Sequence, residues 1–262
     1  MKARRVLAIA RKEMLLRLRF KWGYFFETIS TPMRLAVLFL FIYGGFFSSG
    51  ASNIGSVNEG NYIVFILLGM ALSDILNTGF NLMARSFLWE KFWQTIHGFL
   101  ISPATKIELI CGIGIGGLVD SLPLLVVSMA LSFFLMPIST ANFLCVVVII
   151  LFAYMMILGF SFINAAFVLS NENFSAVFNF AALVMIFMSC FYYPIESLPR
   201  FLQPLAQINP VYHANIFIKS LWIFGVFEAK SLVYVFVMSV LSLFFGVYVF
   251  DRVLSRMGIQ GY

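Results

Sequence analysis

Few residues in this chain are equipped for chemistry, and their places restrict the chemistry open to it. The two histidines, His97 and His213, are separated by long apolar stretches. The topology derived below puts them on opposite faces of a membrane, so they do not form one catalytic or metal site within a single chain. Cys111, Cys145 and Cys190 each fall in a different apolar stretch. Their wide spacing offers neither a metal motif nor a disulfide framework, and they read as small core residues. Gly112, Gly114 and Gly117 fit the string G-x-G-x-x-G. That string binds a dinucleotide only inside a soluble β-α-β unit, and here it lies in an apolar span. Gly112 and Gly116 also have small-x-x-x-small spacing, which lets helices approach closely; close packing is the reading adopted. No G-x-x-x-x-G-K-[ST] string occurs, so no P-loop hydrolyses nucleotide in this chain. H-E-x-x-H, a nucleophile elbow and any evident metal cluster are likewise absent from the sequence.

The remaining candidates are ionisable residues inside apolar stretches: Glu27, Arg34, Asp74 and Asp120. A charge in hydrocarbon is costly, so each is a functional candidate. Glu27 and Arg34 fall near a span's start and read as pairing with headgroups or with each other. For Asp74 and Asp120, placed near mid-span or the outer third, two readings stand: they line a polar path, or they secure packing between helices.

The elements that hold these residues are membrane spans. Of the 262 residues, 62% are hydrophobic and 11% are charged, against about 25% charged in a soluble domain. The chain is an all-α polytopic membrane protein. Its apolar stretches, each near the roughly 20 residues a spanning helix needs, predict six spans over 27–47, 62–82, 107–135, 143–169, 174–193 and 231–250. Eight of the 17 Lys and Arg residues lie in the first 21 positions. That basic start points to anionic headgroups and to orientation control rather than to nucleic acid. It is too long, and lacks the small-residue site, for a cleavable signal.

Residues 2–23 predict an N-terminal amphipathic helix at the membrane interface, with Arg11, Lys12, Arg17 and Arg19 as its basic side chains. It reads either as an interfacial helix that also touches a cytoplasmic partner or as a positive flank alone. Lys and Arg concentrate in this segment, after the second span (Arg85, Lys91, Lys106) and in the tail (Arg252, Arg256). The opposite side carries only Arg200, Lys219 and Lys230. Both termini are therefore predicted to be cytoplasmic, in the plasma membrane of a prokaryote.

Met83–Glu108 organises the cytoplasmic side. On a helix over about 84–101, Leu88, Trp89, Phe92, Trp93, Ile96, Phe99 and Leu100 share one face. Ser86, Glu90, Lys91, Gln94, Thr95 and His97 share the other. This predicts a helix lying on the membrane surface with its tryptophans at headgroup depth. Arg85 on the apolar side and Phe87 on the polar side break the pattern. Residues 194–226, on the opposite side, hold Pro194, Pro199, Pro204 and Pro210. They are too apolar for a solvated loop and too broken for one span, and predict two short interfacial or re-entrant helices.

Two segments carry a resemblance. Leu100–Gly112, LISPATKIELICG, is similar to an L-x-[ST]-P-x-x-x-x-E-hydrophobic-x-x-G stretch. Tyr192–Gly225, with Pro194, Leu198, Pro199, Asn209 and Pro210, is similar to a P-x-x-x-L-P stretch that continues to an N-P pair. On these, and on the order of elements along the whole chain, the protein resembles the membrane subunit of ABC-2 type exporters of the type V fold. That group includes permeases for drugs, nodulation oligosaccharides, O-antigen and teichoic acid. The resemblance implies two copies of this chain, with two copies of a separate ATPase docked below. ATP and Mg would sit on that partner, with no cofactor in this chain. It implies that the helix after span two is a coupling helix contacting the ATPase through Glu90, Lys91, Gln94 and Thr95. It implies that the N-terminal helix frames the cytoplasmic entrance, and that Pro194, Pro199, Asn209 and Pro210 shape an outer gate. The cargo it implies is an amphiphile, a lipid-linked glycan or hydrophobic drug. An ion-coupled secondary transporter predicts paired broken helices, which the sequence lacks. An integral-membrane enzyme predicts clustered His, Asp or Glu, which it also lacks.

Overall fold

The computed structural model describes residues 3–19, 22–23, 25–26, 29–30, 33, 53–55, 57–93 and 105–256. The expected first span, with Glu27 and Arg34, lies almost wholly outside these residues. So do Gln94, Thr95, His97 and the side chain of Arg17.

The fold is a bundle of packed helices. In order they are α1 (Ala3–Arg19), α2 (Tyr62–Phe80), α3 (Leu82–Phe92), α4 (Lys106–Leu135), α5 (Thr140–Ser170), α6 (Phe174–Met188), α7 (Gln203–Ile208), α8 (Pro210–Ile223) and α9 (Ala229–Arg256). A two-residue hairpin, β1 (Asn53–Ile54) with β2 (Val57–Asn58), precedes α2. Hydrocarbon offers backbone groups no partners, so the apolar stretches close their hydrogen bonds within helices.

Among the described residues, four helices are long and apolar enough to cross a membrane: 62–92, 108–135, 140–170 and 229–253. The first and third run 31 residues, which is about 45 Å at 1.5 Å per residue. That exceeds a hydrocarbon core of roughly 30 Å, so the bundle projects beyond it. The projecting part gathers Glu90, Glu108 and Glu172 and is called the charged end below. The other, capped end carries α7 and α8.

Two elements differ from expectation. The helix after the second span is not separated from it. Asn81 keeps right-handed helical geometry, and Arg85 N–H donates to its carbonyl at 2.9 Å. A single turn residue joins the two helices, with Met83 N–H donating to Ser161 Oγ at 2.9 Å, and 62–92 forms one helical run of 31 residues. The fifth stretch stays helical only to Met188. Its 15 residues give about 22 Å, short of the hydrocarbon thickness. Cys190 adopts the left-handed region, with φ of 53°, and this ends the helix.

α5 packs most extensively on α9. The two backbones touch where Gly159 crosses Ser242 and Gly246; a Cβ on either glycine would collide with the other helix's main chain. α1 packs along α4 in a fixed register. Arg5 meets Glu108, a Cβ on Gly112 would lie 2.6 Å from Ile9, and one on Gly116 would lie 2.6 Å from Glu13. Every fourth residue of one helix thus meets every fourth of the other. The small-residue spacing of Gly112 and Gly116 is the groove that admits α1.

Candidate functional site

The charged end is a junction of α1, α3, α4 and the α5–α6 link. Thr105 caps α4: its hydroxyl accepts from Glu108 N–H at 3.3 Å, and Glu108 Oε2 accepts from Thr105 N–H at 3.0 Å. This reciprocal pair is a capping box. Glu108 is only 2% exposed, and Arg5 of α1 lies 3.6 Å from its carboxylate. Lys12 of α1 pairs with Glu90 of α3, and also lies 3.6 Å from Glu13. Ser86 of α3 donates to Glu13 at 3.4 Å. Lys91 donates to Glu172 at 2.8 Å. One helix, α1, therefore bridges Glu90, just before residues 94–104, and Glu108, just after them.

The expected contact residues are consequently not free charges. Glu90 is mostly buried against Lys12, while Lys91 is more exposed in its pair with Glu172. Of the expected basic residues of α1, Arg11 and Arg19 face outward and Lys12 is engaged. The two exceptions to the surface-helix pattern are structural contacts. Phe87 is buried against the Phe250 ring of α9, centroids 5.0 Å apart. Arg85 reaches Asp120 of α4 at 3.7 Å. Trp89, Phe92 and Trp93 lie on the exposed side of α3.

Asp74 and Asp120 do not meet. Asp74 is 11 residues before Arg85 on one helical run, about 16 Å along the axis. Asp120 belongs to the charged half. Asp74 belongs to the capped half, next to Ser73, whose hydroxyl is 2.5 Å from Tyr192 OH. The Arg85–Asp120 contact is loose and one partner is part-exposed, so its net worth is small, about 1 kcal/mol. Arg85→Ala is expected to lower Tm, because it removes a cation from a buried carboxylate. Adding Asp120→Asn should recover part of the loss in a thermal scan.

The capped end holds a second polar construction. The last carbonyls of α6 are all satisfied. Met185 O accepts from Asn209 Nδ2 at 2.9 Å and from Ser189 Oγ at 2.6 Å. Ile186 O and Phe187 O accept from Ser189 and Cys190 N–H at 3.2 and 3.4 Å, and the Cys190 thiol reaches Met188 O at 3.9 Å. Beyond the helix, Asn215 Nδ2 donates to Ser189 O and Cys190 O at 2.8 and 2.9 Å. Lys219 Nζ donates to Cys190 O and Phe191 O at 3.2 and 2.7 Å. The same nitrogen lies 3.4 Å above the Phe65 ring centre of α2. Lys219 is 4% exposed, and burial pushes its pKa well below the usual lysine range. It is therefore no loop cation facing water.

The expected outer residues divide by role. Asn209 caps α8, accepting from Val211 N–H at 3.0 Å, and Pro210 supplies the first helical position, where no N–H is needed. Pro194 is buried at the start of the single 3-10 turn Ile195–Ser197, and Pro199 is exposed. The sequence reading assigned no contact to Glu108, which it met inside the resembling stretch, to Asn215, or to Lys219, which it counted toward topology. Thr105-x-x-Glu108 is a local signal that marks the first; no local signal marks the other two. Among the described residues, no group of three His, Cys, Asp or Glu could hold a metal.

Comparison with known proteins identifies a family. The description "ABC-2 type transporter" matches residues 4–221. The chain is similar to the inner membrane transport permease YadH of Escherichia coli strain K12, at 23% identity over 185 residues, covering 71% of each chain. The protein of the same name from Shigella flexneri matches at the same identity and coverage.

Proposed function

This chain belongs to the ABC-2 type transporter family, and we propose that it is the permease half of an ATP-driven exporter that moves an amphiphile out of the cytoplasm or inner leaflet. Family membership makes it a multi-pass membrane transport subunit whose ATPase is a separate chain. The match over residues 4–221 is the observation that carries the reading. The finer statements are ours. Two copies of the chain assemble with two ATPase subunits, which hold the ATP and Mg. The charged end faces the cytoplasm, as the Lys and Arg distribution argues. The ATPase contacts the stretch holding Glu90, Lys91, Gln94 and Thr95. Lys12 and Glu172 hold the base of that stretch, so a push on it reaches α1 and α4 together. Residues 194–210, with Pro194, Pro199, Asn209 and Pro210, form the outer gate.

The support for the amphiphile is the nature of the wall. Exposed side chains along α4, α6 and α9 are Phe, Val and Leu, which suits cargo that travels beside or within the bilayer. Co-expression with candidate ATPases, followed by reconstitution into liposomes, tests the reading. The expected result is a stable complex and ATP-dependent transport of a lipid-linked glycan or hydrophobic drug. Transport driven by an ion gradient alone, with no ATPase bound, would sink it.

A further inference from the structure

The capped end has an apolar core of its own. Cys190, Leu198, Ala206 and Tyr212 form a buried cluster distinct from the main core of the bundle. The chain enters this cap at 189–191, where α6 has stopped and the peptide carbonyls turn toward α8. The Phe191 side chain is buried in the main core, and a polar contact completes the joint. Phe191 O rests against Gly69 of α2, where a Cβ would collide with it. A carbonyl seated on a glycine needs a donor, since an unpaired buried oxygen is costly. The donor is Lys219. Its amino group touches all three bodies at once: the end of α6 through Cys190 O and Phe191 O, α2 through the Phe65 ring, and α8 through its own stem.

We propose that Lys219 is the positioning residue of the cap, holding residues 189–191 against α2 by the N–H donors of its amino group. A methionine of similar length would fill the space and supply none. Asn215, one turn earlier on α8, shares the Cys190 carbonyl and is the secondary donor. The seat of residues 189–191 on α2 is then partly polar, and opening it breaks the Lys219 and Asn215 hydrogen bonds as well as apolar packing. The consequence for transport rests on the reading of 194–210 as the outer gate; the joint itself does not.

Cys190 is a built-in reporter: its carbonyl is in the joint and its residue is 3% exposed. Single-cysteine forms keeping Cys190 or Cys145 would be labelled in membranes with a small maleimide supplied to both faces. Lys219→Met should raise the Cys190 labelling rate about tenfold or more, which is about 1.4 kcal/mol of local closure lost. Cys145 labelling should stay unchanged. Lys219→Arg, which keeps N–H donors, should restore most of the protection, and Asn215→Ala should give an intermediate rise. Unchanged Cys190 labelling in Lys219→Met overturns the proposal. So does an equal rise at Cys145, which would mean that the whole bundle has loosened. Faster Cys190 labelling with undiminished transport leaves the joint standing and removes the outer-gate reading instead.

Discussion

Replacing Gly159 with alanine is expected to remove most of the correctly assembled protein from the membrane, and Gly246→Ala should do the same. The reason is what each new methyl would meet. At Gly159 it would meet the Ser242 carbonyl group and the Leu243 nitrogen; at Gly246 it would meet Gly159's own carbonyl. These are main-chain atoms of the facing helix, so no side chain can rotate away, and α5 and α9 must separate along their length. Overpacking that side chains absorb costs about 1–3 kcal/mol. Here relief requires moving a 28-residue helix against a 31-residue one, so the cost should exceed about 4 kcal/mol, in the exceptional range for single substitutions. Apolar area cannot compensate, because helices in lipid associate by close packing rather than by escape from water. The Ser242 hydroxyl, which donates to Met156 O at 3.1 Å, would be pulled from its acceptor as well. Size-exclusion chromatography of detergent-solubilised protein measures the outcome as the monodisperse fraction. Gly60→Ala is the control, since its added Cβ would come no closer than 3.6 Å to Asn58 Oδ1. A wild-type profile for Gly159→Ala would refute the crossing.

The contrast between those glycines and the ion pairs shows what a sequence discloses. The long spans were legible because the bilayer imposes a length and a composition on each one separately. Gly112 and Gly116 were legible as a packing face, because small-residue spacing is local. The identity of the partner, α1, was not, since no local rule names it. Arg85 and Phe87 looked like flaws in a surface helix because the helix was read against membrane alone. Their reasons are Asp120 on α4 and Phe250 on α9, both distant in sequence. Lys219 misled most. In a span-and-loop reading, a lysine between spans counts toward the positive-inside rule. Its burial depends on α6 stopping after Met188 and turning its carbonyls toward α8, which is a property of three elements together. Length and hydropathy register none of this.

The charged end supports the prediction that bears most directly on transport. Glu90→Lys should cut ATP-driven transport about tenfold or more, the effect of losing roughly 1.4 kcal/mol at the step that couples the subunits. The variant places a new cation beside Lys12 and next to Lys91, and so turns an attraction between α1 and α3 into repulsion. Exposed ion pairs are worth little, but Glu90 is largely shielded, and like charges there have less water to screen them. α1 should then swing from α3 while Arg5 keeps its hold on Glu108. The helices flanking residues 94–104 would no longer move as one. Neutral Glu90→Ala should do less, because it removes an attraction without adding a repulsion. The decisive case is Lys12→Glu combined with Glu90→Lys, which restores the pair with its polarity reversed. Transport should recover, though not completely, because the carboxylate introduced by Lys12→Glu would face Glu13, which Lys12 approaches at 3.6 Å in the native protein. Recovery in the double variant, measured in liposomes at matched amounts of ATPase complex, would tie the loss to the α1–α3 contact. If the double variant stays as inactive as Glu90→Lys, then Glu90 acts on the ATPase directly and α1 is only a bystander to coupling.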